Sequence, residues 1–179
     1  LGRRWTGGSE PFDDGAWVQG VGTGVGYEAS SGYEPYIDVD VRAEMYGRRN
    51  TVYIRIPFEV ADPGALASLT LNMRYDDGFL AFLNGVLIAS ANMLGSEAWD
   101  GRAAASNDDV AAVSYQGFDV SAHLDALKAG VNILAIEGHN IEASSSDLLF
   151  QATLEATVAD SSDDEEQDGD SQTWVELYN

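Results

Sequence analysis

The 179 residues carry 30 Asp plus Glu against 9 Lys plus Arg, a formal net charge of -21, with 45% hydrophobic residues and no cysteine. That charge excludes nucleic acid and anionic membrane surfaces as partners, because both need clustered cations, and the missing cysteines exclude disulfides, thiolate metal sites and a thiol nucleophile. The length suits one domain of about 150 residues, and the longest apolar runs, such as 79–83 and 133–136, fall far short of the roughly 20 residues that cross a bilayer, so no membrane insertion is expected.

In chain order, the first strong signal is 51–60 (TVYIRIPFEV), which alternates Val52, Ile54, Ile56 and Phe58 with Tyr53, Arg55 and Glu59. That is the period of a half-buried strand, and Pro57, lacking an N–H, places it near an edge or a bulge. Leu69, Leu71, Met73 and Tyr75 repeat the pattern, and Asp76-Asp77-Gly78 supplies turn chemistry before the apolar run 79–83. Asn84-Gly85 then sits between two apolar runs, a hairpin signal because both central residues of a type I′ turn need positive φ. A loop at 92–109 carries Trp99, 110–118 reads as extended, and 121–128 reads as a short helix that Ser121 can cap and Gly130 stops. Residues 131–138 and 147–158 complete the strands. Eight or nine short strands with one short helix and no internal repeat predict an all-β fold, a two-sheet antiparallel β-sandwich.

The character of the chain changes near residue 159. Residues 160–172 (DSSDDEEQDGDSQ) hold seven acidic and no apolar residues, a composition that cannot order itself by burial. The expected organisation is therefore one sandwich over 1–158, an acidic flexible linker over 159–172 and a strand over 173–179 whose partner strands would lie beyond it.

With the strands placed, Phe12-Asp13-Asp14-Gly15-Ala16-Trp17, Gly24-Val25-Gly26-Tyr27-Glu28 and Val52-Tyr53-Ile54-Arg55 resemble the opening of a family of jelly rolls. The later Tyr75-Asp76-Asp77-Gly78, Leu83-Asn84-Gly85, Gly130-Val131-Asn132 and Gly138-His139-Asn140 extend the resemblance. It is to the galactose-binding-like jelly-roll modules of large secreted bacterial proteins of the Planctomycetes type, and it covers residues 5–158. Trp174-Val175-Glu176-Leu177-Tyr178-Asn179 is similar to the start of a lamin-tail domain. The resemblance implies a non-catalytic module that binds carbohydrate through loops at one end of the sandwich, often with a structural calcium.

The residues themselves offer little catalytic chemistry. His123 and His139 are the two histidines and are well separated in sequence. Asp76 and Asp77 are adjacent, and in a strand they would face opposite sides, which suits turn formation better than acid and base work. Carboxylates at a loop tip could also hold calcium, with Asp38, Asp40 or Glu155 joining Asp76 and Asp77. Sugar recognition needs an aromatic platform with hydrogen-bonding groups beside it. Tyr33, Tyr36 and Trp99 lie in polar loops and are the candidates, with His139 and Asn140 as polar partners, although a histidine at a strand end can equally serve a neighbouring loop.

The expectation is thus an extracellular or cell-surface accessory module of a larger protein. Its partners are a polysaccharide or cell-surface glycan and neighbouring domains of the same chain. So acidic a surface suits a saline or calcium-rich medium. The alternative is a structural module of an adhesin or fibre that self-assembles by adding its C-terminal strand to a neighbour's sheet edge.

Overall fold

The computed structural model describes residues 2–93 and 100–159, and the backbone of 175–177. Its strands are β1 (Val25–Glu28), β2 (Val39–Asp40), β3 (Thr51–Val60), β4 (Leu66–Asp76), β5 (Gly78–Leu83), β6 (Val86–Ala91), β7 (Gln116–Asp119), β8 (Gly130–His139), β9 (Asp147–Val158) and β10 (Val175–Leu177). Two single-turn helices, α1 (Arg42–Met45) and α2 (Asp109–Ala112), and four 3-10 turns accompany them.

The strands form two sheets packed as a sandwich. The larger has the order β2-β1-β9-β4-β7, with β10 added to β9, and the smaller runs β3-β8-β5-β6. Apart from the parallel β1–β2 pair, the pairing is antiparallel. Alternation decides what lies between the sheets. Leu69, Leu71, Met73 and Tyr75 of β4 and Leu148, Phe150, Ala152 and Leu154 of β9 meet Ile54, Ile56 and Phe58 of β3 in one apolar core. Gly138 of β8 makes room for the Phe150 ring, since a Cβ there would lie 2.4 Å from a ring carbon.

The smaller sheet is buried on its other face too. All six residues of β5 are buried, because Trp5 packs with Leu80, Phe82, Ile133 and Ala135, flanked by Phe12 and Trp17. The N-terminal segment thus covers the outer face of this sheet. Arg55 anchors it, donating to the Trp5 carbonyl, to Asp14 (2.8 Å) and to Glu10 (3.0 Å).

Several local expectations hold in detail. Asn84 and Gly85 have φ of 48° and 91°, and β5 pairs with β6 across them. Pro57 lies in β3, an edge strand of its sheet. Two expectations are corrected. Residues 110–118 are not extended throughout, because Asp108 accepts from the Val110 N–H and starts a helical turn before β7. The helix expected at 121–128 is a 3-10 segment over Ser121–Ala126 kinked at His123, and Ser121 accepts from the Leu69 N–H instead of capping it.

The C-terminal strand finds a partner within the chain. β10 pairs with Leu154, Glu155 and Ala156 of β9, on the edge whose first half is taken by β1. The acidic stretch 160–172 lies outside the described residues.

Candidate functional site

Four of the candidate residues meet at one end of the sandwich, where β4 passes into β5 and β8 ends. Asp77 lies in the bend between β4 and β5, outside strand alternation, and both carboxyl groups are buried, Asp76 at 2% and Asp77 at 3% exposure. The Asp77 carboxylate accepts from the backbone N–H of Asn107 (3.0 Å) and of Ile141 (2.7 Å), which clasps two loops to the turn. Asn140 donates to the Tyr27 hydroxyl (3.2 Å) and to the Asp147 carbonyl (2.9 Å). His139 Nδ1 lies 3.1 Å from both the Thr51 hydroxyl and the Gly101 carbonyl, and its Nε2 sits 3.5 Å from Glu137 without a hydrogen bond.

Burial governs the chemistry of this cluster. Asp76 is 2% exposed and one of its oxygens has no hydrogen-bond partner. Desolvation, followed by the Asp77 charge beside it, pushes its carboxyl up to about 9. Burial likewise pushes the Tyr27 hydroxyl up to about 12. The Tyr33 hydroxyl is buried without a partner and shifted upward by burial and then by the Asp76 charge.

These positions correct the expected sugar platform. Tyr33, His139 and Asn140 are at most 2% exposed, so their side chains are spent on the interior because the end of the sandwich where they lie is packed. Trp99 lies outside the described residues. Tyr36 is half-buried and leads to a different place.

The expected calcium set is not brought together. Asp38 accepts from the Gly24 N–H (2.9 Å) and Asp40 from the Arg42 N–H (2.8 Å), each holding its own loop. Glu155 lies in β9 opposite Thr70, six register positions from the Asp76–Leu149 pair. Among the described residues no group of three or more His, Asp or Glu is arranged to hold a metal.

The outer face of the larger sheet was missed in the sequence. β4 turns its interior residues inward, so Thr70, Asn72 and Arg74 face out; β9 turns out Gln151, Thr153 and Glu155 in the same way. Register places Asn72 between Thr153 of β9 and Gly117 of β7. A Cβ on Gly117 would lie 3.2 Å from the Asn72 side-chain oxygen, so the glycine lets that amide lie close against β7. The side chains of Asn72, Thr70 and Thr153 make no hydrogen bond within the described residues.

Arg74 lies on the same face, two residues along β4 from Asn72. Its guanidinium is stacked between Tyr36 (4.5 Å to the ring centroid) and Tyr115 (4.2 Å). Nε donates to the Val113 carbonyl (2.8 Å) and Nη1 to Gln151 (2.7 Å), which fixes the plane. Nη2 has no hydrogen bond within the described residues. The signal for this face was present in the alternation of β4 and β9, whose solvent positions are largely uncharged in a chain of net charge -21. Gly117 could not have been assigned to it, because its place depends on the β7 register.

No family model matches the sequence, and no curated protein matches it. Among solved structures, the chain is similar to a part of the native α-L-rhamnosidase from Aspergillus terreus, with 18% identity, a TM-score of 0.41, and coverage of 72% of this chain and 14% of that one. It is also similar to a part of the Streptomyces avermitilis α-L-rhamnosidase complexed with L-rhamnose, with 20% identity, a TM-score of 0.44, and coverage of 73% and 12%. This is a distant similarity between a β-sandwich and small portions of much longer chains.

Proposed function

We propose that this chain is a non-catalytic, extracellular or cell-surface accessory module of the galactose-binding-like kind. Its ligand is a polysaccharide or cell-surface glycan, bound on the outer face of the larger sheet. The observation that carries this reading is the row Gly117–Asn72–Thr153 beside Arg74, itself stacked between Tyr36 and Tyr115. The Asn72 amide, the Thr70 and Thr153 hydroxyls and the Arg74 Nη2 group beside aromatic rings match the alternating hydroxyl and C–H surfaces of a sugar. Groups fixed by a sheet and a double stack lose little entropy on binding.

Calorimetric titration against a panel of soluble polysaccharides tests it. Asn72→Ala is expected to weaken binding at least tenfold, about 1.4 kcal/mol, without moving the unfolding midpoint. An absence of binding to every glycan in the panel, with and without calcium, would sink the proposal.

A second reading, assembly by strand addition, is supported by the β10–β9 pairing. Among the described residues three pairs hold that strand, so the same half-edge on another copy can accept it with little loss. In that case sedimentation shows oligomers that grow with concentration and disappear when 173–179 is deleted. A monomer at all concentrations ends this reading.

A further inference from the structure

β3 is an edge strand whose free side opens on a cleft of about 690 Å³, and every residue from 51 to 57 lines that cleft. A groove that follows one strand for seven consecutive residues has the footprint of another strand.

The hydrogen-bond register shows what the edge offers. Ile133 spends its N–H on Asn84 Oδ1 and its carbonyl on the Asn84 N–H, both on the β5 side. His139 likewise gives its carbonyl to the Asp77 N–H. Their partners in β3, Pro57 and Thr51, therefore turn their backbone groups away from β8. By the same alternation Tyr53 and Arg55 point their N–H and C=O groups into the cleft. Within the described residues none of these four groups has a partner. The ladder is bounded at both ends. The Thr51 N–H is taken by Asp100 (3.4 Å), and Pro57 has no N–H.

We propose that this edge accepts an extended peptide from a partner protein, paired with Tyr53 and Arg55 and carrying an apolar residue between two polar or basic ones. Residues opposite Tyr53 and Arg55 lie on the outer side, near Trp17, Asp14 and Asp100; the residue between them, opposite Ile54, faces Val39 and Met45. The apolar residue fills that inner space. Basic flanks follow from charge complementarity: Asp14, Glu44 and Asp100 outnumber Arg49 and Arg55 along the cleft, Arg55 is already matched by Asp14 and Glu10, and the whole chain carries -21. The mode is strand addition, in which backbone pairing supplies affinity and alternate side chains supply selectivity. It is independent of the glycan reading, which concerns the other sheet.

The probe is acetyl-Val-Thr-Val-Lys-Val-Lys-amide, with a control N-methylated at Thr and at the first Lys, and a second control with both Lys replaced by Glu. Amide hydrogen exchange is followed residue by residue in the full chain. In the free protein Tyr53 and Arg55 are expected to exchange fast while Val52, Ile54 and Ile56, bonded to β8, exchange slowly. Saturating peptide should slow Tyr53 and Arg55 at least tenfold, and neither control should do so. Slow exchange at these two amides in the free protein, protection by either control, or no protection at millimolar peptide would overturn the proposal. Protection that rises with protein concentration alone would overturn it in favour of a second copy as the occupant.

Discussion

Trp5→Ala is expected to cost the domain about 3–5 kcal/mol, the range for removing a large aromatic side chain from a packed site. Trp5 is 2% exposed and lies edge-on to Tyr53 (4.9 Å between centroids) and Phe82 (6.0 Å). It is the largest side chain holding the N-terminal segment on the smaller sheet. Removing it opens a cavity against Leu80, Ile133 and Ala135 and loosens the segment whose carbonyl receives Arg55. Domains of this kind have a net stability of about 5–15 kcal/mol, so the loss is a large share of the total. Urea unfolding at constant m-value measures it, and a loss below about 1 kcal/mol would show that the segment is not part of the cooperative fold.

The second large effect depends on pH. Asp76 holds its proton up to about pH 9 in the folded protein, whereas an unfolded aspartate releases it near 4. Between those values the folded state binds the extra proton, so the contribution of Asp76 to stability is greatest below pH 4 and falls as pH rises towards 9, by at most about 1.4 kcal/mol per unit. Asp76→Asn keeps the shape and can donate a hydrogen bond as the protonated acid can, but cannot ionise. The variant should therefore resemble the parent near pH 4 and exceed it by up to several kcal/mol near pH 8. Taking the difference between the two proteins cancels the contributions of the other acids. A difference that stays constant from pH 4 to 9 would mean that Asp76 is not the buried acid described here.

How far the sequence could be read depended on whether a strand has one solvent face. β4 and β9 do, and their alternation gave both strands and, for β9, both ends. β5 and β8 are buried on both faces over most of their length, so they read as apolar runs with no indication of what covers the second face. The cover is a segment without periodicity, residues 5–17, whose role depends on Trp5 and Arg55 meeting across 50 residues of chain. On the outer face of the larger sheet, Tyr36 was legible as a loop aromatic, while Arg74 and Asn72 were passed over as ordinary polar positions of a strand.

The sequence by itself determined the all-β architecture, the interior residues of the long strands and the Asn84-Gly85 hairpin, because side-chain alternation and turn chemistry act over a few residues. Only the tertiary structure decided which polar residues are interior. Asp77 is a buried clasp because the Ile141 amide, 64 positions away, reaches its carboxylate, and Asn140 is interior because Tyr27, 113 positions away, comes to meet it. Whether a loop-end polar group faces solvent or core depends on what the rest of the chain packs over it, and no local pattern carries that information.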